Sequence, residues 1–392
     1  MRILMLSDVY FPRVNGVSTS IKTFREDLLD MGHRCVLVAP EYPEAPEEGD
    51  DADIVRIPSW RVPFDPEDRL LIWPRLMAWA ESLSPGEFDT IHVQTPFTAH
   101  YAALRIARRI GAPVVETYHT YFEHYLHHYI PVFPSTLTRR FARRLTISQC
   151  HAATHVISPS PQMADALRAY GVRSPITILP TGLPARAFIH GDRATFRAAH
   201  GIPQDRPVAL FVGRIAYEKN LDFLLRMLVE LRKSVPDVLM LIAGEGPAQN
   251  HVNALIASLN LETNVQMLGN MDRGQTLRDC YRAADVFVFA SRTETQGLVL
   301  LESMAQGTPV VSTAVMGTAS VLEGMKGATI SPEVEVEFAA LASRLLVSPE
   351  HRRTMSRLAE ADARAWSSRA LTESLLGLYE NCSLSRSGME AA

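Results

Sequence analysis

Nowhere in the 392 residues do eighteen apolar residues follow one another, so a membrane-crossing helix is not expected. The run Ile3 to Leu6 ends at Ser7 and Asp8, too short for the apolar core of a secretion signal. If the protein works at a membrane, it lies on the surface. Cysteine is scarce: Cys35, Cys150, Cys280 and Cys382 lie far apart and form neither a zinc-type pair nor a dense disulfide framework, which fits a reducing compartment. A basic excess is also missing, with 39 Lys and Arg against 43 Asp and Glu, and this argues against a general nucleic-acid binder. There is no repeat of solenoid period. The first strand is not followed by G-x-G-x-x-G, and the single G-x-G, Gly244 to Gly246, runs into Pro247 without a third glycine. A nicotinamide-dependent oxidoreductase is therefore disfavoured.

What is present is a regular alternation of short apolar runs and amphipathic segments, the pattern of parallel sheets covered by helices. Ile3 to Leu6, Cys35 to Ala39, Ile91 to Val93, Val114 to Thr117, His155 to Ile157 and Ile176 to Leu179 read as strands. A second series follows at Val208 to Gly213, Leu239 to Ala243, Val265 to Leu268, Val286 to Phe289, Val310 to Ser312 and Ala328 to Ile330. Between the series, residues 178–191 carry two prolines and two glycines, where a domain boundary is expected. The length suits two α/β domains, and a cleft between two doubly wound domains is the expected site. Helices at 349–366 and 369–379 close the chain, and the last ten residues read as a frayed polar tail.

The second series carries the richest chemistry. The strand Val208 to Val212 runs into Gly213 and Arg214, with Lys219 opening a helix. Ligands of open α/β sheets bind at the carboxyl ends of strands, and there an Arg fork and a Lys point charge can grip one diphosphate; either can also be an ordinary solvated charge. After Val286 to Phe289 comes Glu294, then Gly297, then an apolar helix from Leu298 with Glu302 about one turn in. N–H groups at that helix start form an anion site without any metal. Glu294 can accept hydrogen bonds from sugar hydroxyls and Glu302 from ribose hydroxyls, or the two can be surface charges near a helix entry.

The residues 213–220, GRIAYEKN, together with 294–302, ETQGLVLLE, resemble the donor site of family 4 retaining glycosyltransferases of the glycosyltransferase-B fold. The resemblance spans nearly the whole chain. It implies an α/β architecture of two doubly wound Rossmann-like domains facing a deep cleft: an acceptor-binding domain at 1–185, a nucleotide-sugar-binding domain at 186–368, and a C-terminal helix with polar tail at 369–392 that packs back on the first domain. It implies that Arg214 and Lys219 hold the donor pyrophosphate, that Glu294 contacts the sugar and that Glu302 contacts the ribose. The donor set it implies also holds Gly16, Gly244, Glu245, Gly246, Leu268, Thr295, Gln296, Gly297 and Leu298. Many relatives have Phe before the helix glycine, whereas this chain has Gln296, a form associated with glycolipid-making branches.

In the first domain the loop Ser7 to Ser20 holds Asn15 and Gly16, where tight backbone approach to an acceptor or phosphate is expected and Asn15 tolerates left-handed geometry. His119 emerges at the carboxyl end of a strand, and the resemblance implies that it lies against the donor sugar near the anomeric carbon. Read without the resemblance, it can also be a histidine that merely packs in a loop. His124, His127 and His128 suit packing, surface or acceptor-side roles, and no metal-ligand set is apparent around them. No metal or other cofactor is expected.

Arg139, Arg140, Arg143 and Arg144 share one helix face, beside an apolar stripe of Phe133, Leu137, Phe141 and Leu145. Such a helix either docks on anionic membrane or is a solvated face above a core stripe. The expected activity is retaining transfer of a hexose from a UDP- or GDP-sugar to a membrane glycolipid acceptor such as diacylglycerol, at the inner face of the cytoplasmic membrane. An α-mannosyltransferase acting on a polysaccharide or polyprenyl-linked glycan is the alternative, followed by a nucleotide-sugar epimerase and a non-catalytic sugar-nucleotide-binding protein.

Overall fold

The computed structural model describes residues 1–13, 15–42, 52–62, 65–119, 135–272 and 274–390, without the side chains of 65–68, 135–139 and 385–390. Contacts divide the chain into two compact units, Met1–Gly182 together with the C-terminal segment from Ser368, and Leu183–Ser367.

The first unit is built on seven parallel strands. In chain order they are β1 (Arg2–Leu6), β2 (Arg34–Pro40), β3 (Ile54–Ile57), β6 (Thr90–Val93), β7 (Val114–Thr117), β8 (His155–Ser158) and β9 (Ile176–Ile178), and across the sheet they run β3-β2-β1-β6-β7-β8-β9. A separate antiparallel pair, β4 (Ser59–Val62) and β5 (Asp65–Leu71), lies between β3 and β6 in sequence. Strands β6 and β7, and β1 from Ile3 onward, are buried along their length, as expected of continuous apolar runs covered by helices on both faces. The strand order reverses between β1 and β6, so the crevice for a ligand in this unit lies at their carboxyl ends.

Two local features stabilise that edge. The helix Gly16–Asp30 is capped by Asn15, whose side-chain oxygen accepts from the Ser18 amide at 2.8 Å. Asn15 has φ −154°, so it is extended and not left-handed; capping, rather than a tight turn, is what an Asn does here. The helix Thr98–Ile110 has no side-chain cap from its own N-cap residue, and the buried Asp8 supplies one. Its carboxylate accepts from Ala99 N and Thr95 Oγ1, both at 2.9 Å, and from Leu71 N at 3.3 Å. Burial pushes the Asp8 carboxyl up to about 6 against these donors.

The helix Ser368–Glu390 belongs to the first unit, where Leu375, Tyr379 and Cys382 enter the core beside Ile3, Met5 and Leu37. The backbone is helical to Glu390, so residues 383–390 differ from the frayed tail expected from sequence, while 391–392 lie outside the described residues. Spacing accounts for the helix as far as Ser383: Leu375, Tyr379 and Cys382 fall at i, i+4 and i+7, and Ser383 Oγ then donates to the Asp89 carbonyl.

The second unit holds six parallel strands: β10 (Val208–Val212), β11 (Leu239–Ala243), β12 (Val265–Gly269), β13 (Val286–Phe289), β14 (Val310–Ser312) and β15 (Ala328–Ile330). Their order, β12-β11-β10-β13-β14-β15, is doubly wound, with its reversal between β10 and β13. β10, β11, β13 and β14 are wholly buried, and Phe211, Phe287 and Phe289 stack at centroid distances of 5.9 and 6.0 Å. This core fixes the strand ends from which the site loops spring.

Candidate functional site

The segments singled out from sequence in the second unit are the loops that leave β10 and β13, the two strands flanking the reversal. The loop after β10 carries Arg214, then a short turn Tyr217–Lys219, then Asn220 at φ 58°, and only then the helix Leu221–Ser234. Lys219 thus precedes the helix rather than opening it; the left-handed Asn220 separates the two. The loop after β13 carries Glu294 and ends at Gly297, whose φ of 89° starts the helix Leu298–Ala305 without a side-chain cap. A residue with a Cβ at 297 would be strained and would press on Thr318.

Backbone hydrogen bonds tie these loops together. Arg292 N donates to Glu218 O at 3.1 Å, and Gly317 N to Glu294 O at 2.9 Å. Gly317 packs so closely on the backbone of Thr295 and Gln296 that a Cβ there would overlap both. Gly244 and Gly246 sit on the neighbouring loop: a Cβ on either would come within 2.4 Å of the backbone oxygen of Gly213 or Ile215, so both glycines are dictated by the close approach of the β11 loop to the β10 loop. Ile215 N donates to Glu245 O at 2.9 Å across this contact.

The charges pair within this edge. Lys219 Nζ donates to Glu294 Oε1 in a half-buried ion pair, and Arg214 faces Glu218 at 3.6 Å. Glu302, on the first face of its helix, accepts from the buried Tyr281 hydroxyl at 2.8 Å. Glu218 and Tyr281 were not among the residues singled out from sequence. Glu218 lies inside the quoted motif at i+4 from Arg214 and was findable, whereas Tyr281 is brought in by the preceding helix and left no local signal. Of the remaining residues named above, Gln296 is buried, Leu298 and Leu268 pack partly against the core, and Glu245 is exposed with its carboxylate bonded to Asn270 Nδ2 at 3.1 Å.

In the first unit His119 follows β7, one strand from the reversal, and is partly exposed. Its Nε2 lies 2.8 Å from Gln94 Oε1, a buried residue just after β6 that sequence reading passed over. Burial lowers the His119 pKa to about 4, so the ring is neutral at pH 7. Gly16 is the first residue of its helix, and no described atom lies within 4 Å of where its Cβ would stand. His124, His127, His128 and Phe133 lie outside the described residues, as do the side chains of Leu137 and Arg139. On the helix Ser135–Ala152, Arg140, Arg143 and Arg144 are exposed, and Arg143 lies over the Tyr170 ring at 4.5 Å. Ala142, Thr146, Gln149 and Cys150 form the buried stripe, and Phe141 is 61% exposed among the arginines.

The glycosyl transferases group 1 model matches residues 192–362 and the glycosyltransferase family 4 model residues 14–186. The chain is 33% identical over 319 residues to alpha-monoglucosyldiacylglycerol synthase of Streptococcus pneumoniae, covering 80% of this chain and 71% of that protein. It is 25% identical over 389 residues to a GDP-mannose-dependent alpha-mannosyltransferase of Mycobacterium tuberculosis, covering 97% and 96% of the two chains. In fold it is similar to sucrose-phosphate synthase from Thermosynechococcus elongatus, with a TM-score of 0.78 at 20% identity over 97% of this chain and 99% of that one. Two Rossmann-like α/β units are what this chain shares with such a glycosyltransferase-B neighbour. With both units matched by their models and a relative of this identity covered over more than two thirds of its length, the chain belongs to the family 4 and group 1 glycosyltransferases.

Proposed function

We propose that this glycosyltransferase moves a hexose, with retained configuration and without a metal ion, from a nucleotide diphosphate sugar to the hydroxyl of diacylglycerol or a related membrane lipid. The observation that carries the donor part is the gathering of Arg214, Lys219, Glu294 and Glu302 on two loops at the strand-order reversal of the second unit. In this reading the diphosphate takes up the cations of Arg214 and Lys219 and the N–H groups at the start of the helix Leu298–Ala305, Glu294 accepts from sugar hydroxyls, and Glu302, oriented by Tyr281, accepts from the ribose. The bond from the anomeric carbon to the diphosphate oxygen breaks as the acceptor oxygen bonds to the same face, and the acceptor's proton passes to the departing diphosphate oxygen. Stabilising that developing negative charge is the main catalytic contribution of the two cations.

The lipid acceptor is supported by the relative named as a monoglucosyldiacylglycerol synthase and by the exposed Phe141 set among Arg140 and Arg144. An exposed large apolar side chain amid arginines fits a helix lying in a lipid interface better than a solvated face. Among the described residues no helix is long and apolar enough to cross a membrane; the proposed association is with the membrane surface. The mannosyltransferase relative, covered over nearly its full length, favours a second reading with GDP-mannose as donor, for which a glycan is the acceptor to test.

The test is to incubate the pure protein with UDP-glucose or GDP-mannose and anionic vesicles containing diacylglycerol, with and without EDTA. The expected result is an α-linked glycolipid, formed at an undiminished rate in EDTA. An absolute need for magnesium or manganese overturns the metal-free reading, and consumption of GDP-mannose only with a glycan acceptor favours the second one.

A further expectation concerns the basic helix face. Each Arg near an anionic surface contributes about 1 kcal/mol, screened over roughly 8 Å at physiological salt. Replacing Arg139, Arg140, Arg143 and Arg144 with Gln should therefore abolish sedimentation with anionic vesicles while sparing donor hydrolysis in solution. Salt should weaken wild-type binding steeply; sedimentation of the quadruple variant would assign the face to solvent.

A further inference from the structure

The His-Val-Gln-Thr-Pro segment at 92–96 found no use in the donor chemistry, yet it holds a buried polar chain that ends at His119. Tyr379 Oη on the C-terminal helix lies 2.6 Å from His92 Nδ1, His92 Nε2 lies 2.7 Å from Thr117 Oγ1, and Gln94 Nε2 lies 3.0 Å from His92 Nδ1. The other end of the Gln94 amide, Oε1, lies 2.8 Å from His119 Nε2. Tyr379, His92 and Gln94 are at most 2% exposed, so water does not compete for these groups.

We propose that Gln94 is a positioning residue that fixes His119 as the Nε2-protonated tautomer and leaves Nδ1 as the nitrogen that accepts from a substrate hydroxyl, with His92 and Tyr379 holding the Gln94 amide in that orientation. The inference rests on the donor reading above for its ligand, but not for its geometry.

An amide oxygen only accepts, so a His119 nitrogen bonded to it carries the proton. An amide nitrogen only donates, so His92 Nδ1 carries the lone pair and His92 Nε2–H donates to Thr117. Turning the amide over would reverse every bond and make Tyr379 an acceptor, its own proton then buried at 0% exposure with no other described partner. In the chosen direction the proton without a protein partner is that of Thr117, which is 8% exposed and sits beside the partly exposed His119. A buried unsatisfied donor is the costlier of the two, so the chain runs from Tyr379 and Gln94 toward His92. Burial lowers the pKa of His92 to about 3 and that of His119 to about 4, so both rings are neutral at pH 7 and the tautomer is the remaining choice.

A functional distinction follows. A neutral ring whose Nδ1 accepts can take a hydrogen bond from a sugar hydroxyl and has nothing to offer a phosphate oxygen. His119 is thereby set to accept from a hydroxyl and not to donate to a phosphate oxygen.

The experiment is histidine-selective ¹⁵N labelling and long-range proton–nitrogen correlation on the full chain at pH 7, with His119 assigned by its loss in His119→Asn. The expected wild-type signature is protonated Nε2 and bare Nδ1 at His119. Gln94→Leu should convert this to a tautomer average and lower turnover of UDP-glucose or GDP-mannose by ~10- to 100-fold, with binding of free UDP or GDP unchanged. Tyr379→Phe, a milder change, should shift the His92 and His119 signals in the same direction. A protonated Nδ1 at His119 in the wild type, or His119 signals unmoved in both variants, overturns the proposal. Because the signature needs no turnover, a wild type that consumes neither donor would contradict the donor reading while leaving the tautomer result to stand by itself.

Discussion

Replacing Arg214 or Lys219 with Ala is expected to lower turnover by ~100- to 1000-fold, on the order of 3–4 kcal/mol of transition-state stabilisation, and to weaken binding of the nucleotide diphosphate. The charge that develops as the sugar leaves sits on the diphosphate, so a cation placed there acts more strongly in the transition state than in the bound substrate. The two variants should not be equivalent in stability. Arg214 is 30% exposed and faces Glu218 at 3.6 Å, so its loss should change unfolding free energy by less than about 1 kcal/mol. Lys219 is 15% exposed against Glu294 at 18%, and its removal leaves a half-buried carboxylate without that partner, a larger but still tolerable cost. Steady-state kinetics beside urea unfolding separates the two effects. Near wild-type turnover in both variants would remove these residues from the donor site.

Glu294 and Glu302 should respond differently to the same substitution. Glu294→Gln keeps the size but loses the charge that pairs with Lys219 and, in the proposed reading, orders the sugar hydroxyls. Turnover should fall about 100-fold. Glu302→Gln sits a turn into its helix with Tyr281 donating to it, and Gln still presents an oxygen to that hydroxyl. The expected effect is therefore mainly a several-fold rise in donor KM, with kcat little changed. Small and equal effects from both would reduce the pair to surface charges near a helix entry.

Both parallel sheets were legible in the sequence because strands buried on both faces appear as unbroken apolar runs. Val208 to Val212 and Val286 to Phe289 are of this kind, and the structure has strands there. The elements not read include β3, the β4–β5 pair and the helices Trp73–Ala80 and Arg193–Ala199. Partial burial explains the first two: β3 is mostly half-exposed, and β4 carries Trp60 and Arg61 outward, so neither shows a clean period. The charged ends of the site were likewise visible, since Arg214, Lys219, Glu294 and Glu302 stand in two short segments. Their partners were visible only in part. Gln94 and Tyr379 lie 285 residues apart in the chain and meet through His92, a contact that no local pattern encodes. Asn15 shows the opposite case, in which the residue was noticed but its work misjudged: helix capping and left-handed turns both favour Asn, and only the φ of −154° separates them.

Hydrogen exchange with and without saturating UDP-glucose or GDP-mannose bears most directly on the claim that the nucleotide sugar is held at the strand-order reversal of the second unit. A bound donor should slow exchange at 213–220, 244–248 and 291–302, and Lys219→Ala should lose this protection at the same donor concentration. Protection confined to other segments, or none with either donor under conditions where the protein turns it over, would contradict it.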